Sequence, residues 1–316
     1  MMRAFVFPGQ GSQAVGMGKA LAEAFGPARL VFEEVDDALG QKLTKLMFEG
    51  PEGDLTLTEN AQPALMAVSI AVLRVLETEG KFRLADKASY VAGHSLGEYS
   101  ALAAAGAFTL ADTARLLKLR GQAMQKAVPV GEGAMAALLN FDLTRAQKVA
   151  RQAAEETKLV CAVANDNDPS QVVISGAREA VERGGALALE AGAKRSVMLP
   201  VSAPFHCPLM QPAADAMAEA LAKVDIRMPM VPVIANVTAQ PVSDPATIRK
   251  LLVEQVTGTV RWRESVQTMK NLNVSHVFEL GAGKVLAGLV KRIDKEIESL
   301  SVGQPADIEA ALKSLT

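Results

Sequence analysis

Residues 93–97 read Gly-His-Ser-Leu-Gly and match the G-x-S-x-G pattern of serine nucleophiles. A strand is predicted just before the pattern, over Ser89–Ala92, and the helix-forming run ALAAAGAF follows it. Glycines on both sides permit a sharp turn that presents the Ser95 hydroxyl, and the helix N-terminus offers N–H groups to an oxyanion. The pattern alone does not separate a hydrolase from an acyltransferase, and a Gly/Ser turn can also match it by chance.

A serine nucleophile needs a base, and the chain has three histidines. His94 adjoins the nucleophile, where we expect its side chain to point away from the pocket, and His276 lies inside a predicted strand. His206 lies in SAPFHCP, a proline-framed loop before a helix, which favours it as the base. The alternative for His206 is a capping or packed histidine, and the adjacent Cys207 is interpreted as structural.

A helix predicted from Pro245 to Thr257 ends near the place where an orienting group is needed. Asp244 fits its N-cap, and Gly258 fits its stop. Gln255 therefore falls in the last turn, where backbone carbonyls have no partner inside the helix. A carbonyl there could accept the histidine N–H, although spacing alone does not single out this residue.

One arginine falls on the apolar face of a predicted helix. The helix Leu110–Ala127 places Arg120 between Leu116 and Met124 on its apolar arc. A buried guanidinium requires an anion, because an unpaired buried charge is very costly. Two alternatives remain at this point: an internal Asp or Glu, or a substrate carboxylate held by both guanidinium nitrogens.

Composition limits the class of protein. The 316 residues are 49% hydrophobic, with a formal charge of −2 and only two cysteines. This balance predicts no nucleic-acid or membrane partner, and neither a disulfide framework nor a thiolate zinc site. The histidines are too far apart in sequence for a local metal site, so no metal is expected. The N-terminus lacks the apolar run of a signal peptide, and the longest apolar stretch, Ala64–Leu73, is too short to span a bilayer. We therefore expect a cytoplasmic protein.

The elements that position these residues alternate between strand and helix. Strand Arg3–Phe7, helix Ala61–Glu79 and strand Ser89–Ala92 predict an α/β fold with a parallel sheet. From Ala134 the order becomes β-α-β-β-α-β, the ferredoxin-like motif, with a polar turn at residues 165–169. We predict a large domain over residues 1–131 and 200–316, with a small ferredoxin-like domain inserted over 132–199.

Six motifs together carry a resemblance to a known family. In chain order they are FPGQGSQ, GHSLGE, RLLKLRGQAMQ, SAPFHC, VRWRESV and ELGAGKVLAGLV. This series resembles the malonyl-CoA:acyl carrier protein transacylases, and it runs from Phe7 to about Leu289. The resemblance implies an α/β-hydrolase-like large domain that carries an inserted ferredoxin-like domain. Ala282, where the family often has proline, is a small departure that concerns the shape of one loop.

The resemblance also implies roles for single residues. Ser95 would be the nucleophile, His206 the base and acid, and the Gln255 carbonyl would orient that histidine. The remaining assignments are an oxyanion hole from the N–H groups of Gln10 and Leu96, a malonyl carboxylate clamp at Arg120, and a ring at Phe205 that leaves little room for a 2-methyl branch. Arg120 is thereby assigned to substrate. Asn165, in the predicted turn of the small domain, is a further candidate that could reach the cleft.

The expected reaction is ping-pong transfer of malonyl from malonyl-CoA to the phosphopantetheine thiol of holo acyl carrier protein, for fatty acid synthesis. Coenzyme A is part of a substrate, and no cofactor is expected. Because carrier proteins are acidic, Lys194 and Arg195 are candidates for a basic docking patch, with an ordinary solvated pair as the alternative.

Three rival functions remain open. A serine esterase or thioesterase explains Ser95 but gives Arg120 no role. A dinucleotide binder is favoured by Gly9-x-Gly11, but Glu33 and Glu34 lie in a helical pattern instead of at a strand end. A catalytically inactive carrier-binding subunit is the third.

Overall fold

The first strand lies in the middle of the fold, with core residues packed on both of its faces. The computed structural model describes residues 2–316, and in it strand β1 (Met2–Phe7) pairs in parallel with two neighbours. Residues Ala4–Phe7 are completely buried, as expected for a parallel strand covered on both faces. Phe5 and Phe7 join the core cluster on one face, whereas Ala4 and Val6 join the cluster on the other, so alternation along one strand joins two layers of helices to the sheet.

The main sheet has six strands, in the order β10–β9–β1–β2–β7–β8. All of its pairings are parallel except that of β7 with β8. Besides β1, its strands are β2 (Tyr90–Gly93), β7 (Val233–Ile234), β8 (Pro241–Val242), β9 (Val274–Leu280) and β10 (Glu298–Val302).

The helices of the described residues fall into an N-terminal run, a pair in the middle and a C-terminal run. They are α1 (Lys19–Ala24), α2 (Gly26–Leu39), α3 (Leu43–Glu49), α4 (Glu52–Thr56), α5 (Thr58–Gly80), α6 (Leu84–Lys87), α7 (Gly97–Ala104), α8 (Leu110–Lys126), α9 (Leu143–Thr157), α10 (Arg178–Glu190), α11 (Gln211–Leu221), α12 (Pro245–Thr257), α13 (Trp262–Asn271), α14 (Val285–Ile293) and α15 (Pro305–Leu315), with a 3-10 turn at Pro208–Met210.

A second sheet is antiparallel and contains four strands, in the order β4–β5–β3–β6. The strands are β3 (Gly133–Leu139), β4 (Cys161–Asp168), β5 (Gln171–Ala177) and β6 (Arg195–Met198). With α9 and α10 they give the chain order β-α-β-β-α-β, and their apolar residues form a core of their own. The expected α/β class, with a parallel sheet and a ferredoxin-like motif, is confirmed. The domain boundaries at 131/132 and 199/200 stay a prediction.

The turn predicted over residues 165–169 is wrong. Strand β4 continues through Asp168, where Asn165 pairs with Val173 and Asp166 with Val172. Only Pro169 and Ser170 form the turn. The polar side chains of this strand are stable because residues outside the second sheet pair with them, Arg263 with Asp166 and Arg292 with Asp168. These partners lie far along the chain, so the local sequence does not show them.

Helix α5 is the one described helix that is long and apolar enough to cross a membrane by length and composition. However, 83% of its most apolar 18-residue stretch is buried inside the protein, and the helix packs against α2 and α8. It is therefore the central core helix, longer at both ends than the predicted Ala61–Glu79. Strand β10 and helices α13 and α14 were not predicted.

The carboxyl ends of β1 and β2 define one edge of the main sheet. Phe7 pairs with Gly93, so the loop that leaves β1 and the turn that leaves β2 lie side by side. Open parallel sheets bind ligands at this edge. The fold therefore brings the FPGQG and GHSLG segments together.

Candidate active site

The Ser95 turn is tight and requires its glycines. Ser95 has a φ of 54°, in the left-handed region, which is uncommon for a residue with a side chain. A Cβ on Gly93 would lie 1.8 Å from the Gly97 carbonyl oxygen, and a Cβ on Gly97 would lie 2.2 Å from the Phe7 carbonyl oxygen. Only glycine fits at either position, so the backbone can turn directly from β2 into α7.

His206 is placed as the partner of the serine. Its Nε2 lies 2.7 Å from Ser95 Oγ, and its Nδ1 lies 2.9 Å from the backbone oxygen of Gln255. Because a carbonyl can only accept, Nδ1 carries the proton and Nε2 is left to accept the serine hydroxyl proton. His206 also has a positive φ, 56°, so the loop holds it in a specific and unusual conformation.

The local helix chemistry explains why Gln255 is there. The Asp244 side chain accepts a hydrogen bond from the Thr247 N–H at the start of α12, and Pro245 occupies the first turn. The helix ends after Thr257, which leaves the carbonyl of Gln255 free for His206. The sequence-based placement of this carbonyl in the last turn agrees with the geometry.

The electrostatic environment keeps His206 neutral. Burial, followed by the nearby Arg120 guanidinium, lowers the pKa of His206 to about 3. At neutral pH the imidazole therefore has a free lone pair on Nε2. An anion that neutralises Arg120 makes a positive charge on this ring less costly.

Two backbone N–H groups border the serine. Leu96 follows it directly, and a Cβ on Gly9 would lie 2.8 Å from the His94 carbonyl oxygen, so the loop containing Gln10 packs against the turn. Within residues 2–316, neither the Gln10 nor the Leu96 N–H donates a hydrogen bond to another protein group. Both remain candidates for an oxyanion hole.

Arg120 is 1% exposed and reaches the serine. Its Nη2 donates to Ser95 Oγ at 3.2 Å and to Gln255 Oε1 at 2.8 Å, and its Nη1 donates to Gln62 Oε1 at 2.8 Å. Its Nε is buried with no hydrogen-bond partner, and burial lowers the pKa of the group. Among residues 2–316, no Asp or Glu oxygen lies within salt-bridge distance of this guanidinium. An internal carboxylate, one of the two sequence-based alternatives, is therefore not a direct ion-pair partner of Arg120 in the described residues. The buried Glu98 carboxyl group acts on Arg120 from further away, through the Gln255 side chain that contacts both.

Sequence reasoning missed four polar groups of this cluster. They are the amide side chains of Gln62 and Gln255, the Glu98 carboxyl group, and Asn236. Glu98 Oε2 accepts from the Gln255 side chain at 2.8 Å, and burial raises the pKa of Glu98 to about 7. Glu98 was visible as the last residue of GHSLGE, but the other three carry no sequence signal beyond their position in an element.

The remaining candidates lie in a loop and in or beside strands of the second sheet. Phe205 is 8% exposed and directly precedes His206. Asn165 is 7% exposed within strand β4, and its backbone bridges to Val260, after α12. The expectation that it lies in a turn is wrong, because β4 continues past it. Lys194 and Arg195 are both exposed at the start of β6.

Asn167, two residues after Asn165 on strand β4, contacts His94 of the Ser95 turn. Asn167 Oδ1 lies 2.8 Å from His94 Nε2, so the His94 ring points into the interface between the two sheets, away from Ser95. On the same strand, buried Asp166 pairs with Arg263, and buried Asp168 pairs with Arg292. We call these three contacts the intersheet seam.

The other titratable groups do not form a metal site. No group of three or more His, Cys, Asp or Glu residues in the described part of the chain has a metal-binding arrangement. Cys161 and Cys207 are free and buried, and Cys207 Sγ donates to the Pro204 carbonyl at 3.1 Å.

Known proteins are similar to this chain over nearly its whole length. The family described as the acyl transferase domain matches residues 4–302. The malonyl CoA-acyl carrier protein transacylase of Bacillus subtilis (strain 168) is 46% identical over 312 residues, which cover 99% of this chain and 96% of that protein. The chain belongs to the acyl transferase family, among the malonyl-CoA:acyl carrier protein transacylases.

Solved structures of this family have the same fold. The acyl-carrier-protein-S-malonyltransferase of Bartonella henselae has a TM-score of 0.97 and 58% identity, covering 100% of this chain and 99% of that one. A malonyl-transacylase in complex with a type II PKS acyl-carrier protein has a TM-score of 0.95 and 41% identity, covering 99% of this chain and 100% of that one. The family resemblance inferred from the six motifs is confirmed.

Membership in this family also bears on the dinucleotide-binding alternative. Glu33 and Glu34 lie inside helix α2, not at the end of a second strand. Neither Glu33 nor Glu34 therefore occupies the ribose-binding position of the dinucleotide fingerprint.

Proposed function

We propose that this enzyme transfers the malonyl group of malonyl-CoA to the phosphopantetheine thiol of holo acyl carrier protein, through a malonyl ester on Ser95. The observation that supports this most directly is Arg120, a buried guanidinium 3.2 Å from the serine oxygen whose protein partners are neutral. A substrate that brings a carboxylate next to the reacting carbonyl supplies the missing anion. Malonyl has this arrangement of groups.

In the first half-reaction, His206 Nε2 removes the Ser95 hydroxyl proton as Oγ attacks the thioester carbonyl. The negative charge that develops on the carbonyl oxygen is placed between the Gln10 and Leu96 N–H groups. The intermediate collapses, the carbon–sulfur bond breaks, and His206 returns the proton to the sulfur of coenzyme A. Malonyl remains on Ser95 as an ester.

In the second half-reaction, the phosphopantetheine thiol of the carrier occupies the place that coenzyme A has left. His206 removes its proton, the sulfur attacks the ester carbonyl, and Ser95 leaves with the proton from His206. The Gln255 carbonyl keeps the imidazole in the tautomer that both steps require.

Arg120 makes the reaction selective for a carboxylated acyl group. A malonyl carboxylate neutralises the guanidinium, whereas an acetyl group leaves it buried and without an anion in direct contact. Neutralisation of Arg120 also removes the largest cause, after burial, that depresses the pKa of His206, so the correct substrate makes the base stronger. Selectivity therefore acts on binding and on the chemical step.

The finer assignments belong to the same proposal. Residues 132–199 form the inserted domain, Phe205 limits branching at C2 of the substrate, and Asn165 lies beside the cleft. Coenzyme A enters only as part of a substrate, and no cofactor takes part. We place the enzyme in the cytoplasm, in agreement with its two free cysteines and its thioester substrate.

Intact mass spectrometry tests the function. The protein is mixed briefly with malonyl-CoA or acetyl-CoA, alongside Ser95→Ala. We expect one malonyl adduct that requires Ser95, little acetyl adduct, and loss of the adduct when holo carrier protein is added. Release of free malonate with or without carrier would instead identify a thioesterase, and no adduct from either thioester would leave a carrier-binding subunit.

A further inference from the structure

Asn236 contacts the backbone on both sides of the nucleophile. It lies two residues after β7, the strand beside β2, and is 1% exposed. Its side-chain Oδ1 accepts a hydrogen bond from the Ser95 N–H at 2.8 Å, and its Nδ2 donates to the Gly93 carbonyl oxygen at 2.7 Å. One amide group therefore spans the turn from strand to helix.

These two backbone groups need an external partner. Strands β2 and β7 pair only at Val91 and Ala92, so the ladder ends before Gly93. Beyond it the chain turns through the left-handed conformation at Ser95 and into α7. Buried backbone groups that lose sheet and helix partners are costly unless a side chain satisfies them. The Asn236 amide presents the acceptor and the donor that a continued strand would have supplied.

The same residue is linked to the base. The Asn236 N–H donates to Glu98 Oε2 at 3.1 Å, and the Gln255 side chain donates to the same oxygen at 2.8 Å. Gln255 in turn holds His206 through its backbone carbonyl. A single buried network thus fixes the serine turn and the histidine relative to each other.

We propose that Asn236 is a positioning residue, which holds the Ser95 turn in its left-handed conformation so that Oγ faces His206 and the Leu96 N–H stays free. The Asn236 amide touches neither the acyl group nor coenzyme A in this scheme. The inference rests on the proposed function only for the choice of malonyl-CoA as acyl donor.

The test compares Asn236→Ala with Glu279→Ala. Glu279 is an equally buried side chain that satisfies two backbone N–H groups, those of Leu286 and Ala287, away from the serine turn. Two rates are measured for each variant: acylation of Ser95 by malonyl-CoA in a single turnover, and phosphonylation of Ser95 by a fluorophosphonate, which needs neither Arg120 nor coenzyme A. Thermal unfolding and malonyl-CoA affinity are recorded in parallel.

We expect Asn236→Ala to slow both reactions about 100-fold, the order of effect of a small misplacement of reacting atoms, with malonyl-CoA affinity changed only a few-fold. Glu279→Ala should lower the unfolding temperature but leave both rates within a few-fold of the wild type. Equal rates for Asn236→Ala and wild type would overturn the proposal. If the wild type reacts with the fluorophosphonate but forms no malonyl adduct, the proposed function fails, and the phosphonylation rates alone decide the role of Asn236.

The conservative variant Asn236→Asp covers the case in which the alanine variant does not fold. A protonated Asp can donate to the Gly93 carbonyl, but an ionised one cannot. Relative to the wild type at each pH, acylation by this variant should therefore recover as the pH falls. Glu98, His206 and Arg120 face the same network, and the wild-type pH series measured in parallel accounts for their titration. A constant ratio of variant to wild-type rate across pH would contradict the proposal.

Discussion

Two arrangements that contain a buried charge contact residues of the Ser95 turn, and they are built differently. In the intersheet seam, buried Asp166 meets Arg263 with three short contacts of 2.8–3.1 Å, and buried Asp168 meets Arg292 at 2.6 Å. At the serine, buried Arg120 contacts two amide oxygens and a hydroxyl oxygen, with its Nε unpartnered.

The difference separates a structural role from a binding role. A buried ion that has its counter-ion is complete, and removal of one partner leaves an uncompensated charge. A buried cation whose partners are neutral is incomplete until an anion arrives. The seam therefore fixes the two sheets against each other, while Arg120 is kept available for a carboxylate.

The largest effect on stability is expected at the seam. Arg263→Ala leaves the Asp166 carboxylate buried and unpaired, and we expect it to lower the free energy of unfolding by about 3–5 kcal/mol. Urea unfolding measures this, with Lys313→Ala as the control, because the exposed Lys313–Glu309 pair should contribute less than about 1 kcal/mol. A loss at Arg263 no larger than the control would mean that the seam is not a structural ion pair.

The second prediction concerns pH and the base. Arg120→Met removes a positive charge that lowers the pKa of His206, so this pKa should move upward from about 3. Since the base must be neutral, the acid limb of the acylation rate should appear at higher pH in the variant than in the wild type. Single-turnover acylation with acetyl-CoA across the acid range tests this, and Glu98→Gln in the same background removes the nearby carboxyl titration. An acid limb that stays in place would show that Arg120 does not act on the histidine.

A smaller effect is expected at Phe205, which bounds the same site without carrying charge. Phe205→Ala opens space beside His206, and we expect the preference for malonyl over methylmalonyl to narrow by roughly tenfold, as is typical when one methyl group is accommodated. Competition between the two thioesters for Ser95, read by intact mass, gives the ratio. An unchanged ratio would assign the branch discrimination elsewhere.

The smallest effect on the free energy of unfolding is expected for Arg120, in contrast to Arg263 of the seam. Arg120→Met should change the free energy of unfolding by less than about 1 kcal/mol, because the hydrogen bonds lost to two amides are offset by removal of a buried charge without an anion. Urea unfolding beside Arg263→Ala measures both in one series. A loss comparable to that at the seam would show that Arg120 is needed for folding.

The sequence predicts those parts of the site that depend on residues close together in the chain. Ser95 was visible because its glycines and neighbouring elements are local, and Arg120 was visible because a charge breaks the helical period of α8. The two alternatives for its partner stayed open, since an absent carboxylate becomes apparent only once the fold is known. Asn236 and the Gln255 side chain act on residues more than 100 positions away and leave no local pattern.

Contacts between residues far apart in the chain also explain the one wrong prediction about strand β4. Residues 165–168 were interpreted as a turn because the sequence is polar, yet they continue β4. Their charges are paired with Arg263 of α13 and Arg292 of α14, about 100 residues later in the chain. The elements with strong periodicity, such as α5 and α8, were predicted close to their true bounds.

The central claim is that Arg120 awaits a substrate carboxylate, and the ratio of malonyl to acetyl acylation rates tests it most directly. The ratio is measured in single turnovers for the wild type, Arg120→Met and, as a control, Arg263→Ala. Loss of a charged hydrogen-bond partner predicts a ratio about 10- to 100-fold lower in Arg120→Met, with the wild-type ratio retained in Arg263→Ala. A ratio that is the same in Arg120→Met and the wild type would contradict the claim.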